Sequence, residues 1–382
     1  MSRGAAQQPS DQAPSLGTDG RLPPTFTAWF EARGWAPHAH QLAMLGAAQA
    51  GQSALLTAPT GGGKTLAGFL PSLVELAGQP DFEGLHTLYI SPLKALATDI
   101  RRNLETPLGE MGLAITAEAR TGDTPANRRA RQREHPPHIL MTTPESLALL
   151  LSYEDSDAFF GNLRCVILDE LHALATNKRG HLLSLGLARL QSLAPEHRRV
   201  GLSATVADPQ YLLDWLHPDA GAVPKDGAGV EEEGRKSATA ASAAGAARVV
   251  HVRGRAGARP DIRILTPEDH IHMPWSGHMA VHAMEGVYRL IRDAGMSIVF
   301  VNTRAQAELC FAELWRLNED GLAIAMHHGS LEREQRRKVE AAMAAGTLQS
   351  VVATASLDLG IDWGDVDLVV QVGAPKLSLI HI

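Results

Sequence analysis

The stretch richest in chemistry is Ala58-Pro59-Thr60-Gly61-Gly62-Gly63-Lys64-Thr65. Three successive glycines let a backbone close around an anion without a Cβ clash. Backbone N–H groups at a helix N-terminus favour negative charge, so phosphate is the anion that fits. Lys64 can reach β- and γ-phosphates, and the Thr65 hydroxyl can ligate Mg²⁺. Ala58 stands where the G-x-x-x-x-G-K-[ST] pattern begins with glycine. The alternative is a chance glycine-rich turn. Context argues against it: the apolar run Ser53 to Thr57 precedes the loop and a helical pattern, Leu66 to Leu76, follows.

Asp169-Glu170 is a second candidate, two adjacent carboxylates closing the apolar run Arg164 to Leu168. Asp169 would hold Mg²⁺, directly or through water, opposite Thr65. Glu170 would orient and polarise an attacking water. His172 is placed to bond the Ser203-Ala204-Thr205 segment and to report the γ-phosphate state to a second domain. Upstream of the phosphate loop, the amide of Gln41 could read both edges of adenine; an ordinary surface glutamine is the competing reading.

These groups need elements that present them at one edge. Thr87 to Ile90 is expected as a strand ending in Ser91-Pro92-Leu93-Lys94, and His138 to Met141 as one ending in Thr142-Thr143-Pro144-Glu145. Arg164 to Leu168 ends in Asp169-Glu170, and Val200 to Leu202 runs into Ser203-Ala204-Thr205. Short continuous apolar runs alternating with helical patterns predict a parallel sheet covered on both faces. In such sheets ligands sit at the carboxyl ends of strands, where every polar motif here begins. A second α/β unit of the same type follows. It has strands at Ser297–Val301, Ala323–Met326, Ser350–Ala353 and Asp367–Val372, and helices from His278 to Ala294 and from about Glu332 to Ala345. It has no phosphate loop of its own. The expected fold is therefore α/β, two parallel-sheet domains in tandem.

With 382 residues and 45% hydrophobic content the chain can bury cores for two to three domains. Residues 1–21 are rich in Gln, Ser, Gly, Pro and Asp and are expected to be disordered. Domain 1 is expected over 22–218, with Phe26, Trp29 and Phe30 at helical spacing near its start. A flexible low-complexity linker covers 219–247, and domain 2 covers 248–376. The two cysteines, Cys165 and Cys310, read as buried reduced thiols. No apolar run reaches membrane-spanning length and no signal-peptide pattern opens the chain, so a soluble cytoplasmic protein is expected.

The net charge of −7 does not itself suggest a nucleic-acid binder, although a basic groove can sit on an acidic body. Arg120, Arg128, Arg129, Arg131 and Arg133 form either a solvated helix face or a phosphate-backbone contact. Lys94 and the Thr142-Thr143 pair lie at strand ends of the same expected edge and could hold a single strand by its backbone. His270, His272, His278 and His282 cluster without a carboxylate or thiol that completes a metal spacing, so surface or capping histidines are the expectation.

Taken in order, the upstream Gln41, A-P-T-G-G-G-K-T, S-P-L-K-A-L, T-T-P-E, D-E-L-H, S-A-T, V-F-V-N-T-R, H-H-G-S and A-T-A-S-L-D-L-G-I-D resemble the superfamily 2 DExH-box helicases. The resemblance runs from about residue 22 to 376. It looks closest to the large-helicase-related (Lhr) group, and within it to the ligase-associated DNA-damage-response helicases. Gly84 to Ile90, Arg120 to Pro125 and Gly360 to Trp363 carry the subgroup likeness. The resemblance implies two RecA-like domains, ATP with Mg²⁺, and 3′ to 5′ translocation on single-stranded or partly duplex DNA, an RNA/DNA hybrid included. It implies DNA repair, with a DNA ligase and a nuclease as partners. Gln41 would contact adenine; Thr60, Gly61, Gly62, Gly63, Lys64 and Thr65 would cradle phosphate; Lys64, Asp169, Glu170 and His172 would be catalytic. Ser203, Thr205 and Asp358 would couple hydrolysis to movement. Lys94, Thr142, Thr143, Asn302, Arg304 and Thr354 would lie near nucleic acid, and Gly360 and Asp362 would line the nucleotide cleft with Asp358 from the second domain.

The family pattern continues into Q-R-x-G-R and then winged-helix and C-terminal domains, which the given chain lacks. Arginine fingers are worth roughly 10³–10⁵ in turnover in related enzymes, so ATP binding with poor turnover is expected here. Leu377 to Ile382 is what CTG-TCT-CTT-ATA-CAC-ATC encodes, similar to a transposase mosaic-end adapter, and is expected to be read-through. The other classes considered are an RNA-directed helicase, which ATPase stimulation by DNA and RNA strands would separate, and a naturally short non-catalytic ATP- and nucleic-acid-binding module. The intact Lys64, Thr65, Asp169 and Glu170 speak against the module. A plain P-loop kinase leaves the second α/β domain unexplained.

Overall fold

A computed structural model describes residues 21–59, 61–204, 206, 208–217, 249–255, 261–265, 283–354, 357 and 366–373. Thr60, Thr205, Asp358, Gly360 and Asp362 lie outside the described residues. So do residues 1–20, the expected linker, the four-histidine cluster and residues 377–382.

The chain divides into two compact units, Met1–Gly257 and Ala258–Ile382. The strands of the first are β1 Ala54–Thr57, β2 Thr87–Ile90, β3 Ala117–Ala119, β4 Ile139–Thr142, β5 Cys165–Leu168, β6 Arg198–Ser203 and β7 Val250–Arg253. Every pairing is parallel, in the order β3-β4-β2-β5-β6-β1-β7. The helices are α1 Pro24–Ala32, α2 Ala39–Gln49, α3 Lys64–Ala77, α4 Lys94–Glu110, α5 Ala126–Glu134, α6 Pro144–Leu151, α7 Ser156–Phe160, α8 Leu171–Ala175, α9 Lys178–Leu193 and α10 Pro209–Leu216. The second unit has α11 Met284–Asp293, β8 Ser297–Val301, α12 Arg304–Leu317, β9 Ile324–His327, α13 Arg333–Ala344, β10 Ser350–Ala353 and β11 Leu368–Val372. Its sheet is also parallel, ordered β11-β8-β10-β9. Tandem parallel α/β units are the expected fold class.

Two strands differ from expectation. Val250–Arg253, expected to open the second domain, pairs instead with β1, Leu56 opposite Val252, and closes one edge of the first sheet. The first unit therefore extends to Gly257 and not to 218. Val252 is buried there, which an isolated segment could not achieve. The other is β3, a short half-buried strand that carries no apolar run.

The central strands β2, β4 and β5 are buried throughout, as sheets covered on both faces require. On one face Leu55, Leu88, Val166 and Leu168 pack with Leu171, Leu183, Leu187, Leu212 and Leu216 of α8, α9 and α10. The other face is covered by α3. A Cβ built on Gly68 would stand 2.9 Å from Leu202 Cδ1 and 3.5 Å from Ile167 Cγ2, so glycine is what lets this helix lie so close. Among the described residues no helix is long and apolar enough to cross a membrane. Cys165 and Cys310 are buried free thiols.

A polar anchor pins the far end of α3. Arg198 Nη2 donates to Glu75 Oε2 at 2.7 Å, and His86 Nε2 lies 3.3 Å from the same oxygen. Burial raises the Glu75 pKa, but hydrogen bonds from His86 and Arg198 outweigh it and hold the carboxyl below its usual range. Removing one partner of a partly buried pair leaves the other without its hydrogen bond. Glu75→Ala is expected to cost about 1–3 kcal/mol in chemical denaturation at pH 7. The depressed carboxylate stabilises the fold above the ordinary glutamate pKa and stops doing so as pH falls through its folded value. The gap between wild type and variant should therefore narrow on acidification.

Candidate active site

The loop after β1 and the turn after β5 meet because β6 pairs with both strands. Ala58 N–H donates to Ser203 O at 3.2 Å, which sets the phosphate loop beside the Ser203-Ala204 segment. Gly61 and Gly63 have φ of +75° and +71°. A side chain in that left-handed region costs roughly 1–2 kcal/mol. A Cβ on Gly63 would also lie 3.1 Å from Gln41 Nε2 and 3.4 Å from His38 Cδ2.

Gln41 is 3% exposed and packs on the loop, so it is no ordinary surface residue. Its Oε1 accepts the His38 N–H at 2.8 Å, so the amide is turned with its NH₂ toward Gly63. The helix before it is anchored by Arg33, which forks onto Glu110 and lies 5.3 and 4.9 Å from the ring centroids of Trp29 and Trp35.

Lys64 opens α3 and is buried, its Nζ donating to Ala58 O at 3.0 Å and Pro59 O at 3.1 Å. Burial pulls its pKa down, opposed by the charges of Glu170 and Asp169. Asp169 Oδ1 accepts the Glu170 N–H at 2.9 Å, and Oδ2 accepts the Tyr89 hydroxyl. Burial pushes the Asp169 carboxyl up, while these two bonds and Lys64 pull it down. Tyr89 has no exposure, and burial and the Asp169 charge hold its hydroxyl protonated.

Glu170 has φ 47°, and among the described residues no other non-glycine residue has a positive φ. Such backbone costs of order 1–3 kcal/mol and concentrates at functional sites. Its Oε2 lies 3.5 Å from His172 Nε2. Across the ring, His172 Nδ1 is 3.1 Å from Ser203 Oγ. The Ser203 hydroxyl also lies 2.9 Å from Ala204 O. The expected link from His172 to the Ser203 segment is present. One chain of contacts thus runs from Glu170 through His172 to Ser203.

Lys94, Thr142 and Thr143 share the carboxyl edge, with their polar groups in use. Lys94 Nζ pairs with Asp123 at 3.2 Å in a half-exposed contact. The buried Thr142 hydroxyl donates to Arg120 O at 2.8 Å, and Thr143 caps α6. Arg179, which carried no expectation, forks onto Glu145 and donates to Pro92 O at 2.6 Å, bracing two of these loops. The arginines of α5 are largely committed too. Arg128 and Arg131 pair with Glu118, Arg133 pairs with Asp155, and Arg120 donates to Arg129 O. In the second unit, Asn302, Arg304 and Thr354 follow the ends of β8 and β10. Arg304 Nη1 donates to Ser330 Oγ at 3.2 Å, and Thr354 N–H donates to His327 O.

A phosphate loop and an adjacent carboxylate pair at the edge of one parallel sheet are the arrangement of a phosphate-loop nucleotide site. Residues 38–212 match the DEAD/DEAH box helicase family, and residues 282–381 match the helicase conserved C-terminal domain. The Lhr helicase/probable uracil glycosylase of Mycolicibacterium smegmatis is 34% identical over 93% of this chain and 25% of its own length. The ATP-dependent helicase Lhr-Core of Methanothermobacter thermautotrophicus is 36% identical over 85% of this chain and 37% of its own. The solved structure of Mycobacterium smegmatis helicase Lhr bound to ssDNA and AMP-PNP matches with a TM-score of 0.74 at 36% identity, covering 93% of this chain and 44% of that one. The chain belongs to the Lhr-type helicases of superfamily 2, with tandem RecA-like domains. It spans about a quarter to under half of the length of these relatives.

Gly63→Ala combines the left-handed backbone with the crowding against Gln41. It is expected to weaken nucleotide binding about tenfold, the equivalent of ~1.4 kcal/mol. Titration with a fluorescent ATP analogue measures it.

Proposed function

We propose that this chain is the nucleotide-binding core of an ATP-dependent helicase that moves on single-stranded DNA, 3′ to 5′, in the service of DNA repair, and that the chain as given binds ATP but turns it over poorly. The observation that carries the reading is the convergence of Lys64, Asp169 and Glu170 with a contact path from Glu170 to Ser203. Lys64 would exchange its two loop carbonyls for phosphate oxygens, gaining a charge-assisted contact. Glu170 would take the proton of the attacking water, and its displacement would change the His172 contact and thereby Ser203.

Two buried carboxylates stand against one buried ammonium, an excess of negative charge that suits a divalent cation. Asp169 and Thr65 would hold it. Mg²⁺, when bound, neutralises charge on the β- and γ-phosphates.

The choice of DNA is supported by the 36%-identical Lhr structure, which holds ssDNA. The RNA-bound neighbours are 17–18% identical and speak for the fold alone. Binding would rest chiefly on the sugar-phosphate backbone, as most strand contacts do. Lys94 would give up Asp123 for a phosphate, and Asn302, Arg304 and Thr354 would serve at the second sheet's edge.

In a chain extended through the Q-R-x-G-R segment, Glu170→Gln is expected to retain ATP binding and to lose 10²–10⁴-fold in DNA-stimulated hydrolysis, roughly the contribution of a general base. In the same extended chain, Lys64→Ala should lose ATP binding and ATP-driven strand displacement while keeping strand binding. Steady-state ATPase assays with DNA and RNA strands, and displacement of 3′- and 5′-tailed duplexes, check these outcomes. Stimulation by RNA alone would overturn the DNA reading, and hydrolysis surviving Glu170→Gln would overturn the site.

A further inference from the structure

Tyr89 lies in the Gly84 to Ile90 stretch but has no assigned role there, yet its hydroxyl sits on the carboxylate at the centre of the site. The sheet explains how. Strands β2 and β5 pair in parallel with Tyr89 opposite Ile167. Asp169 follows Ile167 by two residues, so side-chain alternation points Tyr89, Ile167 and Asp169 to the same face. The diagonal distance between neighbouring strands is within reach of a tyrosine. That face is the one α3 covers. Phe69 stacks on the Tyr89 ring, centroids 5.2 Å apart and planes inclined by 25°.

A phenylalanine would fill the same space. A buried hydroxyl without a partner costs free energy, so a tyrosine at a fully buried position is explained by what its hydroxyl reaches. Here it reaches Asp169 Oδ2, while the Glu170 N–H holds Oδ1. Each carboxylate oxygen therefore has one fixed donor, and the group cannot rotate about its terminal bond without breaking both contacts. Each oxygen keeps lone-pair capacity for a cation. Donors behind a metal-binding carboxylate set its orientation, and losing one typically costs 10–100-fold in metal affinity or activity.

We propose that Tyr89 is a positioning residue of the nucleotide site, its hydroxyl fixing the Asp169 carboxylate in the orientation that takes the divalent cation accompanying ATP. The proposal rests on the reading of Asp169 as a cation ligand, and the test separates the two. The readout is the affinity of the 382-residue chain for a fluorescent ATP analogue, titrated with Mg²⁺ and repeated in EDTA. Tyr89→Phe is expected to raise the Mg²⁺ concentration for half-maximal enhancement about tenfold and to leave the affinity in EDTA unchanged. Phe69→Leu disturbs the same packing but keeps the hydroxyl. It should lower the unfolding temperature without moving the Mg²⁺ midpoint. 4-Aminophenylalanine at position 89 keeps a donor and should restore the wild-type midpoint. If Tyr89→Phe does not fold, 4-methylphenylalanine at that position fills the volume without donating and gives the same reading.

Asp169→Asn is the control. An unchanged Mg²⁺ midpoint in Asp169→Asn would sink the cation-ligand reading itself. Loss of enhancement in Asp169→Asn with a wild-type midpoint in folded Tyr89→Phe overturns the role of Tyr89 alone. Equal shifts in Phe69→Leu and Tyr89→Phe would make the effect one of packing and also overturn it.

Discussion

Lys64, Asp169 and Glu170 are all buried within one sheet edge, and the first unit is arranged around that burden. Taking charges out of water costs several kcal/mol each unless partners are supplied. Lys64 is answered by the carbonyls of Ala58 and Pro59. Asp169 is answered by the Glu170 N–H and the Tyr89 hydroxyl. Glu170 sits in left-handed backbone, which turns the chain sharply from β5 into α8 and keeps both carboxylates on the loop side. The apolar cover of α3 and the fixed pairing of β6 between β1 and β5 keep these partners in place.

How far the sequence discloses this depends on whether a feature is local. The phosphate loop is local: glycines at 61 and 63 are needed by a backbone that turns left-handed there, and a lysine follows. The strands β2, β4, β5, β8 and β10 are local too, because a strand buried on both faces must be a continuous apolar run. The contact of His172 with Ser203 was within reach because both residues follow strand ends that had to be near one another. Membership of β7 was not. Val-His-Val-Arg has the same alternation whether it opens a new sheet or edges an old one, and the choice is settled by long-range pairing with β1. Tyr89 was hidden for the same reason. Its role arises from a diagonal across two strands far apart in sequence, while its own stretch shows nothing but an apolar strand.

Residue type was a poorer guide to the nucleic-acid side. The arginine-rich run around α5 offered two readings, and its guanidinium groups turn out to be mostly matched to Glu118 and Asp155. Arg133 also lies 4.0 Å from the Tyr153 ring centroid, so part of its surface is packed. Thr142 and Thr143 were read as hydroxyls able to hold a strand; the Thr142 hydroxyl donates to Arg120 O and Thr143 caps α6. Arg179 was invisible because its value lies in joining Pro92 O to Glu145, two loops on different strands.

These commitments bear on how a chain of net charge −7 would hold the proposed nucleic acid. A broad basic face would raise affinity for any nucleic acid through counterion release. Here the α5 arginines are largely neutralised in place, and Lys94 is half exposed but shared with Asp123. Affinity built on exchanging such pairs is smaller than affinity built on free cations, because each phosphate must displace a carboxylate. A surface ion pair is worth only about 0–1 kcal/mol, so the exchange stays easy to reverse. Weak, reversible and sequence-independent contacts are what the proposed translocation would need, since the strand would be released in every cycle. The tightly organised charges are kept for the nucleotide, where Lys64, Asp169 and Glu170 are held by bonds that the fold itself supplies.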